Sequence, residues 1–225
     1  MTLRTNARLA GIAFLVYIVA AMSGMILGGR ASAGDTPAAR LASLAAHASQ
    51  ARAGLLLETV GVFCAFLLAV TMWAITRDED PDLALLAAVL RVAEGVTGAV
   101  AMDAGAERIW LATHSGELSA ATRDTLAAVR FGAPDPMGTG ATCFAVASTI
   151  FAWLLLRGRI VPVVLAWIGV AGSLAAVIVL PLRQVGFIGG PLTNLIWAPL
   201  LVFEVWLAIH FLVKGAAVPV RRRAA

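Results

Sequence analysis

Long apolar runs alternate with short polar breaks along the whole chain. Six of the runs come close to, or exceed, the roughly 20 residues a helix needs to cross the hydrocarbon of a bilayer. They cover residues 9–28, 53–76, 83–103, 139–156, 160–180 and 191–213. No stretch has the ten-residue alternation of a membrane barrel strand. Backbone groups in lipid must be satisfied within the segment that carries them, so the runs are expected to be helices. The predicted fold is all-α: a polytopic membrane protein, a single transmembrane domain over 1–225, built as a bundle of six transmembrane helices with short amphipathic helices in the outer loops.

The breaks alternate in length. Those at 77–82 and 157–159 are short, while 29–52, 104–138 and 181–190 are longer. Six spans put all the longer connections on one side and both chain ends on the other. Two of the longer connections are themselves patterned. The segments Ala38–Arg52 and Leu118–Arg130 are rich in alanine and leucine, and Leu118, Thr122, Leu126 and Val129 recur near helical spacing. Such segments are expected to lie as helices on the membrane surface, roofing the bundle. Arg4 and Arg8 before the first run, with Ala31-Ser32-Ala33 after it, resemble a secretion signal, but the run is longer than the roughly 7–15 residues of a signal core. An uncleaved first span is expected.

Composition agrees with this pattern. The chain is 60% hydrophobic and 13% charged, with a mean hydropathy of +0.90, whereas a soluble domain carries about a quarter charged residues. The net charge of +4 does not point to nucleic acid. Its arginines flank apolar runs and form no basic surface interleaved with aromatics. They bear instead on orientation. The short-turn side holds nine basic residues, including Arg221-Arg222-Arg223 as an anchor near anionic lipid, against seven on the other side, and Arg91 inside a span completes the 17 in the chain. Basic residues in short loops and at helix ends favour the cytoplasmic face, so both termini are expected there.

Charges within the spans are the chemical lead. In residues 83–105, Ala84, Ala87, Arg91, Glu94, Gly95, Gly98 and Met102 share one helical stripe, and Leu85, Val89, Val92, Val96 and Val100 share the opposite one. Small residues mark close helix contact in membranes, so Arg91 and Glu94 are expected to point into the bundle. Glu58 lies with Gly54, Gly61, Ala65 and Ala69, and Glu204 with Thr193, Trp197, Leu201 and Ala208, with Pro199 expected to kink the helix just before it. By depth, Arg91 can reach Glu94 and Glu204, with Glu204 the favoured partner. Glu58, nearer the outer surface, can pair with Arg52 or Arg183. A charge at the centre of a span costs about 2.5–3.5 kcal/mol on insertion scales, so these groups need a reason. Three reasons stand open: a tie between helices, a site for a ligand, ion or proton, or catalysis.

Other candidate chemistry is sparse. Cys64 and Cys143 stand apart and read as small core residues. His47 and His114 fall in outer loops that can approach each other, yet two histidines without a third ligand do not make a metal centre. No phosphate loop, zinc-protease motif or nucleophile elbow is present, and neither a metal nor a cofactor is implied. Gly24-x-x-x-Gly28 and Gly169-x-x-x-Ser173 are helix-packing motifs. The expected partners are membrane lipids and a small lipophilic ligand. An intramembrane enzyme acting on a lipid-like substrate, with a glutamate as general acid or base, is the alternative, and a small transporter a third.

The stretches RLAGIAFLVYIVA at Arg8–Ala20, LALLAAVLRVAEGV at Leu83–Val96 and APLLVFEVWLAIHFLVKG at Ala198–Gly215, taken with the six-span layout, resemble the membrane proteins grouped as domain of unknown function 4386. That resemblance covers nearly the whole chain. It implies a bacterial inner-membrane protein with six helices, and it implies no role for Arg91, Glu94 or Glu204.

Overall fold

The computed structural model describes residues 1–114, 116, 118–132 and 138–219; the basic run at 221–223 lies outside them. Eight α-helices follow in order: α1 (Leu3–Ala31), α2 (Pro37–Ala46), α3 (Ala48–Thr76), α4 (Pro81–His114), α5 (Ala120–Gly132), α6 (Gly138–Arg157), α7 (Val163–Gln184) and α8 (Trp197–Val213), with a 3-10 turn at Pro191–Ile196 leading into α8. Among the described residues there is no strand. Six helical segments, α1, α3, α4, α6, α7 and Thr193–Val213, are long and apolar enough to cross a membrane. The protein is an all-helical, multi-pass membrane protein.

Local chemistry sets the helix starts. The Thr2 and Thr36 hydroxyls accept hydrogen bonds from the backbone N–H groups of Thr5 and Ala39, both at 3.1 Å. Asp80 does the same for Leu83 at 3.2 Å. Each satisfies an N–H that has no partner within the helix. Pro37 and Pro81 occupy first helical positions, where a missing N–H is harmless.

Several boundaries differ from the sequence expectation, each for a physical reason. The polar stretch after residue 103 is not a loop. It contains no proline, so α4 runs on through Arg108 to His114, and its 34 residues span about 51 Å at 1.5 Å per residue. The segment Ala38–Arg52 is two helices, because the chain turns at His47 (φ −117°, ψ 29°) and α3 begins at Ala48. Pro199 does not kink a helix. It sits in the first turn of α8, where its missing N–H breaks no helical bond.

The six spans form a closed ring. α1 packs on α3, α3 on α4, α4 on α6, α6 on α7, α7 on α8, and α8 returns to α1. Glycine permits the closest approaches. A Cβ on Gly11 would stand 2.8 Å from the Ala208 carbonyl oxygen, where α1 meets α8, and one on Gly24 would stand 3.3 Å from the Gly54 carbonyl oxygen, where α1 meets α3. The start of α1 and residues 215–217 meet at the short-turn face: Ala217 N–H donates to the Ile160 carbonyl at 3.0 Å, and Gly215 faces Arg4. Across that face Arg157 and Asp80 join the two short turns at 3.4 Å.

The halves of the ring differ. Toward the short turns, all six spans contribute to one apolar core that includes Phe14, Leu68, Ala87, Leu155, Leu165, Leu207 and Phe211. Toward the other face, α2 and α5 lie over the ring as a roof. Leu41 and Leu44 of α2 and Ala127 of α5 pack against Ile109, Leu111 and Ala112 of the extended α4.

Candidate functional site

α4 presents Ala84, Ala87, Arg91, Glu94, Gly95, Gly98 and Ala101 to the interior, while Leu85, Val89, Val92, Val96 and Val100 are exposed. The amphipathic pattern therefore carries Arg91 and Glu94 inward, where they are 3% and 4% exposed. Arg91 Nη1 donates to Glu94 Oε2 at 2.8 Å. The other Glu94 oxygen, Oε1, accepts from the Tyr17 hydroxyl of α1 at 2.7 Å. Both carboxylate oxygens are thus held by charge-assisted or phenolic hydrogen bonds, strengthened by burial away from bulk solvent.

Two aromatic rings also stand against the guanidinium. The Phe144 ring of α6 lies 4.8 Å from the Arg91 carbon and the Tyr17 ring lies 5.3 Å from it. An aromatic face attracts a cation most strongly once the pair is desolvated, by about 2 kcal/mol or more. These contacts offset part of the cost of burying the arginine.

Glu204 is 6% exposed on the interior side of α8. It is not the ion-pair partner of Arg91. The sequence reading favoured Glu204, and the structure gives the bond to Glu94. The reason is local: three residues along one helix face bring the two side chains together without any help from tertiary packing. Glu204 Oε1 and Arg91 Nη2 are buried with no hydrogen-bond partner.

The remaining expected residues are placed elsewhere. Glu58 is half-buried on α3. It lines a crevice of about 140 Å³ under the roof, together with Gly28, Ser32, Gly54, Ala101 and Arg108. Arg52 is exposed at the roof end of α3. Arg183 stands on α7, across the ring from α3, and donates to Asn194 Oδ1 at 2.9 Å. His47 and His114 are each engaged with their own helix through Nδ1, at 2.9 Å from the carbonyls of Ser43 and Trp110. Among the described residues no group of three or more His, Cys, Asp or Glu side chains is placed to hold a metal ion.

Three contributors were not read from the sequence. Tyr17 is the only tyrosine in the chain, and a lone phenol in an apolar span was the available signal. Phe144 gave none, since an aromatic in a span is ordinarily packing. Arg108 falls in the break at 104–138 of the sequence pattern, whereas the continuation of α4 brings it to the crevice wall.

The family described as domain of unknown function (DUF4386) matches residues 9–215. The chain belongs to the DUF4386 family. The stretches Leu83–Val96 and Ala198–Gly215, which hold Arg91, Glu94 and Glu204, lie inside the DUF4386 match, as does the first resembling stretch from Leu9 onward. Membership fits the six-span architecture and carries no activity with it. No curated protein and no solved structure matches the chain.

Proposed function

We propose that this protein is a non-enzymatic, membrane-embedded binding protein, and that it takes a small, largely apolar ligand with a polar end into the crevice beneath the roof. The crevice is the observation that carries this reading. Its volume, about 140 Å³, resembles that of an engineered apolar cavity of about 150 Å³ that takes up benzene. Its walls combine leucine, isoleucine, phenylalanine and small residues with one carboxylate, Glu58, and one guanidinium, Arg108. Apolar walls with a few polar groups are the usual form of a small-molecule site. A transporter is supported less well, because the short-turn half is filled by apolar side chains from all six spans. An enzyme using Glu94 as general base is also supported less well, because both of its oxygens are already engaged.

The test is to purify the protein from its own membrane and identify retained small molecules by native mass spectrometry. Ala101→Leu, which fills the crevice, is expected to abolish a signal that the wild type shows. Identical retained molecules in the two proteins would defeat the reading.

The proposed setting is a bacterial inner membrane with the short-turn face in the cytoplasm, supported by the basic residues of that face. In a variant with Cys64 and Cys143 replaced, a cysteine at Asp35 is expected to react with a membrane-impermeant thiol reagent in intact cells, and one at Lys214 is not. The opposite labelling would invert the orientation.

A further inference from the structure

Arg91 Nη2 and Glu204 Oε1 are the two buried side-chain polar atoms without a hydrogen-bond partner among the described residues. Both side chains are more than nine-tenths buried. They come from α4 and α8, which stand opposite each other in the ring. The ring interior is therefore what lies between them. Phe144, whose ring stands 4.8 Å from the Arg91 guanidinium carbon, shares a buried cluster with Leu200, one turn before Glu204 on α8. A buried polar atom left unsatisfied is disfavoured by about 1–3 kcal/mol, and more when it is charged, so two such atoms on one interior call for a shared partner.

The chemistry of that partner is narrow. The Phe144 and Tyr17 rings stand 4.8 and 5.3 Å from the guanidinium carbon, and Nη1 is held by Glu94. Nη2 is left without a partner, and it can only donate. Glu204 offers an oxygen that accepts. An anion would suit Arg91 but face the Glu204 carboxylate. A cation would suit Glu204 but face the guanidinium. One hydroxyl meets both demands with a single oxygen: its lone pair accepts from Nη2 and its proton is donated to Oε1.

We propose that Arg91 Nη2 and Glu204 Oε1 together bind one hydroxyl group, from water or from a membrane-soluble alcohol, across the interior of the ring. This site uses other residues than the roof crevice, so either can fail while the other stands.

The experiment compares unfolding temperatures of the purified wild type, Glu204→Gln and Glu204→Leu in detergent, with 1-butanol, butyrate or butylammonium added at equal concentration. Glutamine keeps an accepting oxygen at the site and leucine does not. If the hydroxyl comes from an alcohol, 1-butanol raises the wild type and Glu204→Gln by on the order of a few degrees relative to Glu204→Leu, and the two ions do not. If it comes from water, no probe discriminates between the variants, and an experimental density map of the wild type shows one ordered oxygen about 3 Å from both atoms. Selective protection by butyrate or butylammonium overturns the proposal. So does a map in which Arg91 Nη2 contacts Glu204 directly, or one with nothing bonded to either atom when no probe protects. The wild-type map decides the question even if Glu204→Leu fails to fold.

Discussion

The two halves of the ring are made from the same six helices but packed on different terms. In the short-turn half, leucine, phenylalanine and alanine fill the interior, and the tight turns at Arg77–Asp80 and Gly158–Val161 hold the helix ends together. In the roof half, the interior of α4 is a line of arginine, glutamate, glycine and alanine. The space left by the small residues is partly closed by rings and partly left as the crevice. The difference teaches where each kind of stability comes from. Dense apolar packing gives the first half many small, interchangeable contacts. The second half splits its apolar packing between the roof cluster and a patch of Phe144, Ala176, Leu180 and Leu200, adds a few polar contacts that cannot be removed singly, and keeps the crevice.

The largest expected effect therefore lies in the roof half. Arg91→Met leaves Glu94 buried without its cation, and a broken buried pair of this kind loses about 3–5 kcal/mol. Arg91→Met combined with Glu94→Leu should lose much less than Arg91→Met alone. Equal losses, measured by reversible unfolding in detergent, would show that the pair is not a unit.

Next comes the packing contrast itself. Leu165 is fully buried in the short-turn core, so Leu165→Ala is expected to lose about 2–5 kcal/mol. Leu55 borders the crevice and already lacks neighbours on one side. Leu55→Ala should lose less than half as much. Similar losses at the two sites would mean that the halves are equally packed and that the contrast drawn between them is false.

The smallest effect concerns the roof. Arg130 of α5 holds Glu107 of α4 at 2.6 Å, with both side chains about half exposed. An exposed pair contributes about 0.2–1 kcal/mol and is screened by salt. Glu107→Gln is therefore expected to leave global stability nearly unchanged and to speed amide exchange in α5 selectively. Added salt should bring the wild type toward the variant. Unchanged exchange throughout α5 would show that the buried contacts of Ala127, and not the ion pair, set its attachment.

What the sequence determined is what periodicity and hydrophobicity can carry. Six apolar runs of spanning length could become only helices in lipid, and the inward face of α4 followed from the separation of its valines from its glycines and charges. The roof helices were legible from alanine-rich composition, and membership in the family from three apolar stretches. Tertiary structure decided the partners. The Arg91–Glu94 bond is the exception, since three residues along one helix face suffice for it, and what the tertiary structure adds there is Glu204 of α8, buried on the interior side and bonded to neither. That Tyr17 takes the second oxygen of Glu94 depends on α1 and α4 meeting across α3 at that depth. The role of Arg108 as a wall of the crevice depended on α4 continuing past the expected end of its span, because a helix needs no apolar residues once it leaves the lipid and can pack beneath a roof. Periodicity fixes which way a side chain points along its own helix, whereas what it meets there is set by the depth and rotation at which the other helices arrive.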